Sequence, residues 1–108
     1  MIRVMVSYPN AAGAKFDFEY YLSTHVPMVE AKLRGRGLTG WIVEQGLSGG
    51  APGSQPEFLV QAHLTFESVE AFEAAMESEG PEILADIPRY TDLQPQIQVN
   101  KVLAQQAS

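Results

Sequence analysis

FDFEYYLSTHVPMVE, residues Phe16–Glu30, is the segment from which the rest of this chain can be placed. Its apolar residues recur at steps of three and four, which is the period of an α-helix with one buried face. The predicted buried face holds Phe18, Leu22, His25, Val29 and Leu33. His25 is the only titratable residue among them, and a buried imidazole needs a hydrogen-bond partner to offset its lost hydration. We therefore expect a polar group beside His25 in the core.

The neighbours of His25 suggest what this part of the helix does. Tyr20 and Tyr21 lie about one turn earlier and can each offer a phenolic hydroxyl. Pro27 lacks a backbone N–H and is expected to push Val26 out of helical geometry. An inward histidine beside a proline break favours a pocket wall, because functional sites often use a side chain that titrates near neutrality. The alternative is a core histidine that is satisfied by a tyrosine or a carbonyl.

The remaining elements follow from local patterns. Strands are predicted where apolar residues alternate or cluster, at Ile2–Tyr8, Leu38–Leu47, Phe58–Phe66 and Gln96–Leu103. In the last strand, Ile97 and Val99 are expected to face inward. A second helix is predicted to begin at the cap residue Ser68 and to end at Gly80, with Pro81 starting a short helical turn through Asp86. The buried stripe of this helix is predicted to hold Val69, Phe72 and Met76.

The element order βαββαβ predicts an α+β, ferredoxin-like fold: a four-stranded antiparallel sheet with two helices on one face. Residues 1–103 are expected to form a single domain, and residues 104–108 a flexible tail. The face without helices would carry a mixed set that is neither charged nor fully apolar: Arg3, Met5, Ser7, Gln61, His63, Thr65, Gln98 and Asn100. Such a face favours a second sheet packed against it. We therefore predict a homodimer that pairs through its sheet faces.

Composition excludes several classes of protein. The 108 residues are 45% hydrophobic, which suits one compact core, and the net charge is −6. The seven Lys and Arg are scattered, so we expect no nucleic-acid partner. The chain has no cysteine, which excludes disulfides and thiolate chemistry. No apolar run reaches the roughly 18 residues of a membrane span, and the N-terminal segment is predicted to be a strand rather than a signal sequence. We expect a cytoplasmic protein.

Two segments resemble the EthD-like family of dimeric α+β barrel proteins. One is FDFEYY at Phe16–Tyr21, followed by THVPMV at Thr24–Val29; the other is ADIPRYTDLQP at Ala85–Pro95, leading into QIQV at Gln96–Val99. The likeness covers nearly the whole chain. The family usually has an Asn-Phe pair where this chain has Arg89-Tyr90, which changes the polarity beside the predicted pocket. The resemblance is specific for the family and not for any one reaction.

The resemblance implies a ferredoxin-like monomer whose sheet pairs with that of a second copy, forming a dimeric α/β barrel. It implies a cleft between helices and sheet in each subunit. The founding context of the family is bacterial degradation of ethyl tert-butyl ether, beside a cytochrome P450 system. Relatives in the wider barrel superfamily include cofactor-free monooxygenases, polyketide cyclases, muconolactone isomerases and haem-degrading enzymes, so the fold alone does not choose a reaction.

The candidate site is a pocket lined by aromatic residues with a few polar groups. His25 is the predicted general acid or base and Tyr21 its catalytic partner. The predicted ligand-binding residues are Tyr8, Met28, Trp41, Phe66, Tyr90 and Asp92. The alternative for Trp41 and Phe66 is ordinary core packing, and Asp92 could instead cap a turn.

No metal or cofactor is predicted. His25 and His63 are expected on opposite sides of the sheet, so they should not converge on a metal ion. The glycine-rich segment Ser48–Pro56 lacks the lysine and the following helix of a phosphate-binding loop, and no dinucleotide fingerprint is present.

Two functions from different classes remain. One is a cofactor-independent enzyme of oxidoreductase or cyclase type on a small aromatic or polyketide-like substrate. In it, His25 removes an acidic proton while a tyrosine hydroxyl stabilises the enolate or phenolate. The other is a non-catalytic accessory module that binds a small hydrophobic ligand for a neighbouring oxygenase system, with a redox-pathway protein as partner.

Overall fold

The computed structural model describes residues 1–106 and has the predicted α+β architecture. Four antiparallel strands form one sheet in the order β2-β3-β1-β4. The strands are β1 (Ile2–Pro9), β2 (Leu38–Gln45), β3 (Phe58–Phe66) and β4 (Gln96–Lys101). The helices are α1 (Phe18–Tyr20), α2 (Val26–Leu33) and α3 (Val69–Asp86), and a π-helical turn, Tyr21–His25, joins the first two into one helical segment. Of the predicted tail, residues 107 and 108 lie outside the described residues.

The register of the strands brings their alternating apolar side chains together on the face of the sheet that the helices cover. Val4 on β1 lies opposite Leu64 on β3 and Val99 on β4. The main apolar core lies between this face and the helices and consists of Ile2, Val4, Leu33, Leu38, Phe66, Ala75 and Ile83. The ferredoxin-like fold class predicted from the element order is therefore confirmed. None of the helices formed by residues 1–106 is long and apolar enough to cross a bilayer.

The first helix differs from the prediction because it contains the π-helical turn. The Val26 N–H bonds the Tyr21 carbonyl across this turn, and Val26 keeps helical angles (φ −60°, ψ −47°), so the predicted break at Val26 is wrong. In a regular α-helix a proline ring clashes with the carbonyl four residues earlier. The wider turn directly before Pro27 is where the chain accommodates that ring. It also rotates the inward face, so that Tyr21 is 2% exposed and Leu22, which was predicted inside, is 54% exposed.

The second helix is longer than predicted. Ser68 caps it, as expected, by accepting a hydrogen bond from the Ala71 N–H. Gly80 does not end the helix, which continues through Pro81 to Asp86. Gly80 is buried and lies close to the Met76 side chain, so its small size serves packing in the middle of the helix. This continuation carries the last turn of α3, and with it Asp86, toward the first helical segment.

Two predicted inward positions lie outside the helical cover. Ile97 and Val99 on β4 share the helix-covered face with Val6 and Val4, yet they are 48% and 41% exposed. Val69, at the start of α3, is likewise 40% exposed. Ile97 and Val99 thus face the predicted side but are not buried, because β4 is an edge strand and the two helices do not extend over it. The buried position predicted for Val69 is wrong, since its side chain lies at the exposed first turn of α3.

Candidate functional site

His25 is held in the core by Asp86, at the end of α3. Its Nδ1 lies 2.9 Å from Asp86 Oδ2, and the imidazole is 5% exposed. The rings of Tyr21 and Tyr90 pack on it, with ring centroids 5.7 Å and 4.6 Å away. The polar partner expected for His25 is therefore a carboxylate, with the two tyrosine rings fixing the plane of the imidazole.

The protonation states follow from burial and from this hydrogen bond. Burial lowers the pKa of His25, and the hydrogen bond to Asp86 offsets only part of that shift. Burial alone would raise the pKa of Asp86, but the hydrogen bonds from His25 and Tyr20 outweigh it and lower the pKa. At neutral pH the pair is thus a neutral imidazole and a carboxylate. The His25 Nδ1–H donates to Asp86, which leaves the lone pair of Nε2 free to accept a proton.

Asp86 is itself fixed by two further contacts. Tyr20 donates from its hydroxyl to Asp86 Oδ1 at 2.8 Å. Arg89 places its Nε 3.6 Å from the same oxygen. Both carboxylate oxygens are therefore engaged, so the carboxylate holds His25 in one orientation and one tautomer.

Three tyrosines, Tyr8, Tyr21 and Tyr90, form with Val60 a second buried cluster, which lies next to His25. Tyr8 and Tyr90 place their hydroxyl oxygens 2.5 Å apart, and Tyr8, Tyr21 and Tyr90 are each at most 3% exposed. Burial raises the pKa of all three phenols, so they remain protonated at neutral pH and act only through neutral hydroxyls. Among residues 1–106, neither the Tyr21 hydroxyl nor His25 Nε2 has a hydrogen-bond partner.

A cavity of about 80 Å³ lies between the sheet and the helices. Most of the residues in its wall are apolar; the polar ones include Tyr8, Tyr21, His25 and Glu30. Tyr21 and His25 therefore both belong to the wall of one cavity. The hydroxyl of Tyr21 and the Nε2 of His25, both without a partner among residues 1–106, are suited to bind the small polar end of a molecule in this apolar cavity.

The structure brings together some of the predicted site residues and separates others. Tyr8, Tyr21, His25 and Trp41 line the cavity, with Trp41 at its edge and 43% exposed. Tyr90 packs behind Tyr8 and His25. Phe66 and Met28 lie instead with the main apolar core, where Phe66 is fully buried against Phe72.

Asp92 also lies away from the cavity. Its Oδ1 accepts from the Lys15 N–H at 3.1 Å, next to the isolated β-bridge between Phe16 and Thr91. It therefore fastens the loop after α3 to the loop before α1, a long-range contact that differs from the local turn cap considered as its alternative.

Asp86 is the site residue that sequence reasoning missed. It was placed only as the end of a helical turn, and 61 residues separate it from His25. No local pattern links an acid at a helix end to a histidine on another helix. The continuation of α3 through Pro81 brings the two together, and that continuation was not predicted.

His63 is on the opposite face of the sheet from His25. Its Nε2 lies 2.8 Å from Glu44 Oε1, but the contact is not an aligned hydrogen bond. In the part of the chain that the structure describes, no three His, Asp or Glu side chains are arranged to hold a metal ion.

Comparison with known proteins agrees with this geometry at the level of family and fold. The family model described as EthD domain matches residues 13–94. An EthD-like protein from Ralstonia eutropha JMP134 is 42% identical, with a TM-score of 0.90 over 98% of this chain and 95% of that one. No match was found among the curated proteins.

Two more distant structures share the fold. An ethyl tert-butyl ether (EthD) family protein from Bacillus halodurans is 19% identical, with a TM-score of 0.73 over 95% of this chain and 99% of its own. A dimeric ferredoxin-like protein from an uncultured marine organism is 9% identical, with a TM-score of 0.57 over 99% of this chain and 98% of its own.

Proposed function

The chain belongs to the EthD family, and on this premise we propose that it is a cofactor-independent acid–base enzyme acting on a small, neutral aromatic or polyketide-like compound. His25 Nε2 removes an acidic proton from carbon or from a phenol. The electron pair left behind moves onto an oxygen of the substrate, where the Tyr21 hydroxyl stabilises it. The His25 imidazolium, held by the Asp86 carboxylate, then returns the proton at a second position. This proton shift is the step that a cyclase-type or isomerase-type reaction requires.

One observation carries this proposal: the free Nε2 of a neutral imidazole whose Nδ1 is fixed by a carboxylate. A base works best when it is unprotonated at working pH and already oriented. The unpaired Tyr21 hydroxyl on the same cavity supplies the donor that a developing oxyanion needs. The tyrosine also stays protonated, so it donates without competing as a base.

The first test is an NMR titration of the His25 imidazole with and without a panel of small phenols and aryl ketones, with His25→Gln to assign the signal. A resonance that moves on ligand addition, and binding that is lost in His25→Gln, are expected. Substrates identified by binding should then be turned over by the native chain, and Asp86→Asn should reduce kcat by about 10²-fold or more, because the wrong tautomer is then favoured. A His25 signal that responds to no compound would contradict a binding site there.

A non-catalytic accessory role is the second candidate, and a different observation favours it. The exposed side of α3 carries Glu70, Glu73 and Glu77, with Glu67 just before the helix. This acidic surface is suited to docking a basic protein of a redox pathway. Ligand binding without turnover, together with a salt-sensitive complex with such a partner, would support this role over the enzyme.

We also propose that the protein is a homodimer through the sheet face that the helices leave open. On that face the Nε of Arg3 and the Nε2 of His63 are buried and have no hydrogen-bond partner among residues 1–106. A second sheet would provide partners for such polar groups. The dimeric neighbour from the marine organism has the same fold. Sedimentation at micromolar concentration should give the mass of a dimer, and Met5→Glu at the centre of this face should give a monomer; a native monomer would contradict the proposal.

A further inference from the structure

A surface groove continues the cavity of His25 toward the edge of the sheet. It has a volume of about 460 Å³ and runs between the end of α3 and β4. Four residues belong to the walls of both the groove and the inner cavity: Leu84, Ile87, Pro95 and Ile97. The two spaces are therefore neighbours that share these four apolar side chains.

From this continuity we propose that the groove is a second subsite, which holds the apolar extension of the ligand whose polar end reaches His25. This inference rests on the function proposed above. The inner cavity of about 80 Å³ has room for several waters but is smaller than the roughly 150 Å³ cavity that binds benzene in an engineered protein. A ligand with an aromatic ring must therefore displace wall side chains, and Leu84 and Ile97 are the ones with free space beside them.

The exposure of these two residues supports the same conclusion. Leu84 and Ile97 are each 48% exposed, although both also line the inner cavity. Ile97 lies opposite Val6 in the register of β1 and β4, and Val6 is a wall residue of the cavity. An apolar chain leaving the cavity at this point would cover both side chains and remove their apolar surface from water.

The chemistry of the walls selects the ligand class. Among residues 1–106, Asp92 is the only charged residue that lines the groove, and Glu30 is the only one that lines the cavity besides the largely neutral His25. Because the described walls carry acidic side chains and neither Lys nor Arg, an anionic ligand would be repelled and left unpaired. The subsite therefore suits an uncharged ring compound with an unbranched alkyl chain or a second apolar ring.

A series of 4-alkylphenols, from phenol to 4-hexylphenol, tests the inference by titration calorimetry and by the His25 NMR signal. Binding to the native protein should strengthen by roughly threefold to fourfold for each methylene that becomes buried. In Leu84→Gln and Ile97→Thr the gain per methylene, measured within each variant relative to its own affinity for phenol, should fall below about twofold, while phenol still moves the His25 signal. Leu47→Gln, at an exposed leucine of the β2–β3 connection, is the matched control and should keep the native slope.

The possible failures are distinguishable. Phenol could bind and move the His25 signal while a longer alkyl chain brings no gain in affinity, or the same gain in the groove variants as in the native protein. In that case the subsite is wrong and the proposed function stands. If phenol does not move the His25 signal, both fail. A change in sedimentation mass in Leu84→Gln or Ile97→Thr would instead make the groove an interface between copies and overturn the subsite.

Discussion

The two histidines of this chain make the same contact in two different surroundings. His25 Nδ1 is 2.9 Å from an Asp86 oxygen, and His63 Nε2 is 2.8 Å from a Glu44 oxygen. They lie on opposite faces of one sheet. The Asp86 side chain is 16% exposed and the Glu44 side chain is 55% exposed. Distance alone would treat the two pairs as equivalent.

The surroundings make the difference. Asp86 also accepts from Tyr20 and lies close to Arg89, so its position is fixed by three groups. Within residues 1–106 Glu44 contacts only His63 among charged partners, and without hydrogen-bond alignment. A histidine–carboxylate pair becomes useful for chemistry when the carboxylate is held in place and the histidine lines a cavity. Only the pair on the helix side meets both conditions.

The largest effect expected from this difference is on stability. Asp86→Ala leaves the His25 N–H and the Tyr20 hydroxyl without their acceptor, so the free energy of unfolding should fall by about 2–4 kcal/mol. Glu44→Ala breaks one exposed and poorly aligned contact and should cost less than about 1 kcal/mol. Urea unfolding of both variants measures the contrast. Equal losses would mean that burial does not distinguish the two pairs.

The next largest effect is expected on how stability changes with pH, which should depend on His25. Because burial lowers the pKa of His25 from its ordinary 6.5, the folded chain binds fewer protons than the unfolded chain as the pH falls through this value. His25 therefore makes the protein progressively less stable below about pH 6.5. Below the ordinary Asp value of 3.8 the lowered pKa of Asp86 adds a second decline. Thermal unfolding measured across this pH range should show no first decline in His25→Gln, whereas His63→Gln should still show it. A first decline that persists in His25→Gln would mean that it does not come from His25.

The tyrosine hydroxyls beside His25 provide a smaller and finer test. Tyr8→Phe removes the hydrogen bond between Tyr8 and Tyr90 and should cost about 1 kcal/mol of unfolding free energy. Tyr21→Phe removes a hydroxyl that bonds no described residue, so it should change stability by less than about 0.5 kcal/mol while weakening phenol binding. Denaturation and binding measured on both variants distinguish structural from ligand-facing hydroxyls. A large destabilisation in Tyr21→Phe would show that its hydroxyl is structural.

The smallest expected effect concerns the π-helical turn that aims His25. Leu22 is 54% exposed because this turn rotates it away from the sheet. Leu22→Ser should therefore change the free energy of unfolding by less than about 0.5 kcal/mol. A loss of 2 kcal/mol or more is typical of a buried leucine. That result would mean that Leu22 lies inside, as in the regular helix predicted from the sequence. Chemical denaturation of this single variant is sufficient.

Much of the fold could be predicted because its signals are local. The alternation of β1 and β3, the serine cap of α3 and the order βαββαβ each depend on neighbours in the chain, and each is confirmed. The errors occurred where tertiary contacts override local preference. Gly80 and Pro81 would end an isolated helix, but packing carries α3 past them. Ile97 and Val99 alternate like core residues, but the helices of residues 1–106 do not cover their edge strand.

The sequence by itself determined that His25 lies on the inward side of a helix among tyrosines, because helical period is a local property. It could not determine the partner of His25, because Asp86 is 61 residues away and approaches it only through the docking of α3. Nor could it determine that Tyr21 rather than Leu22 faces the cavity, since the π-helical turn changes the period at that point. Tertiary packing determined both the partner of His25 and the side chain that faces the cavity. The reason is that the free energy of burying one arrangement of side chains depends on the whole chain.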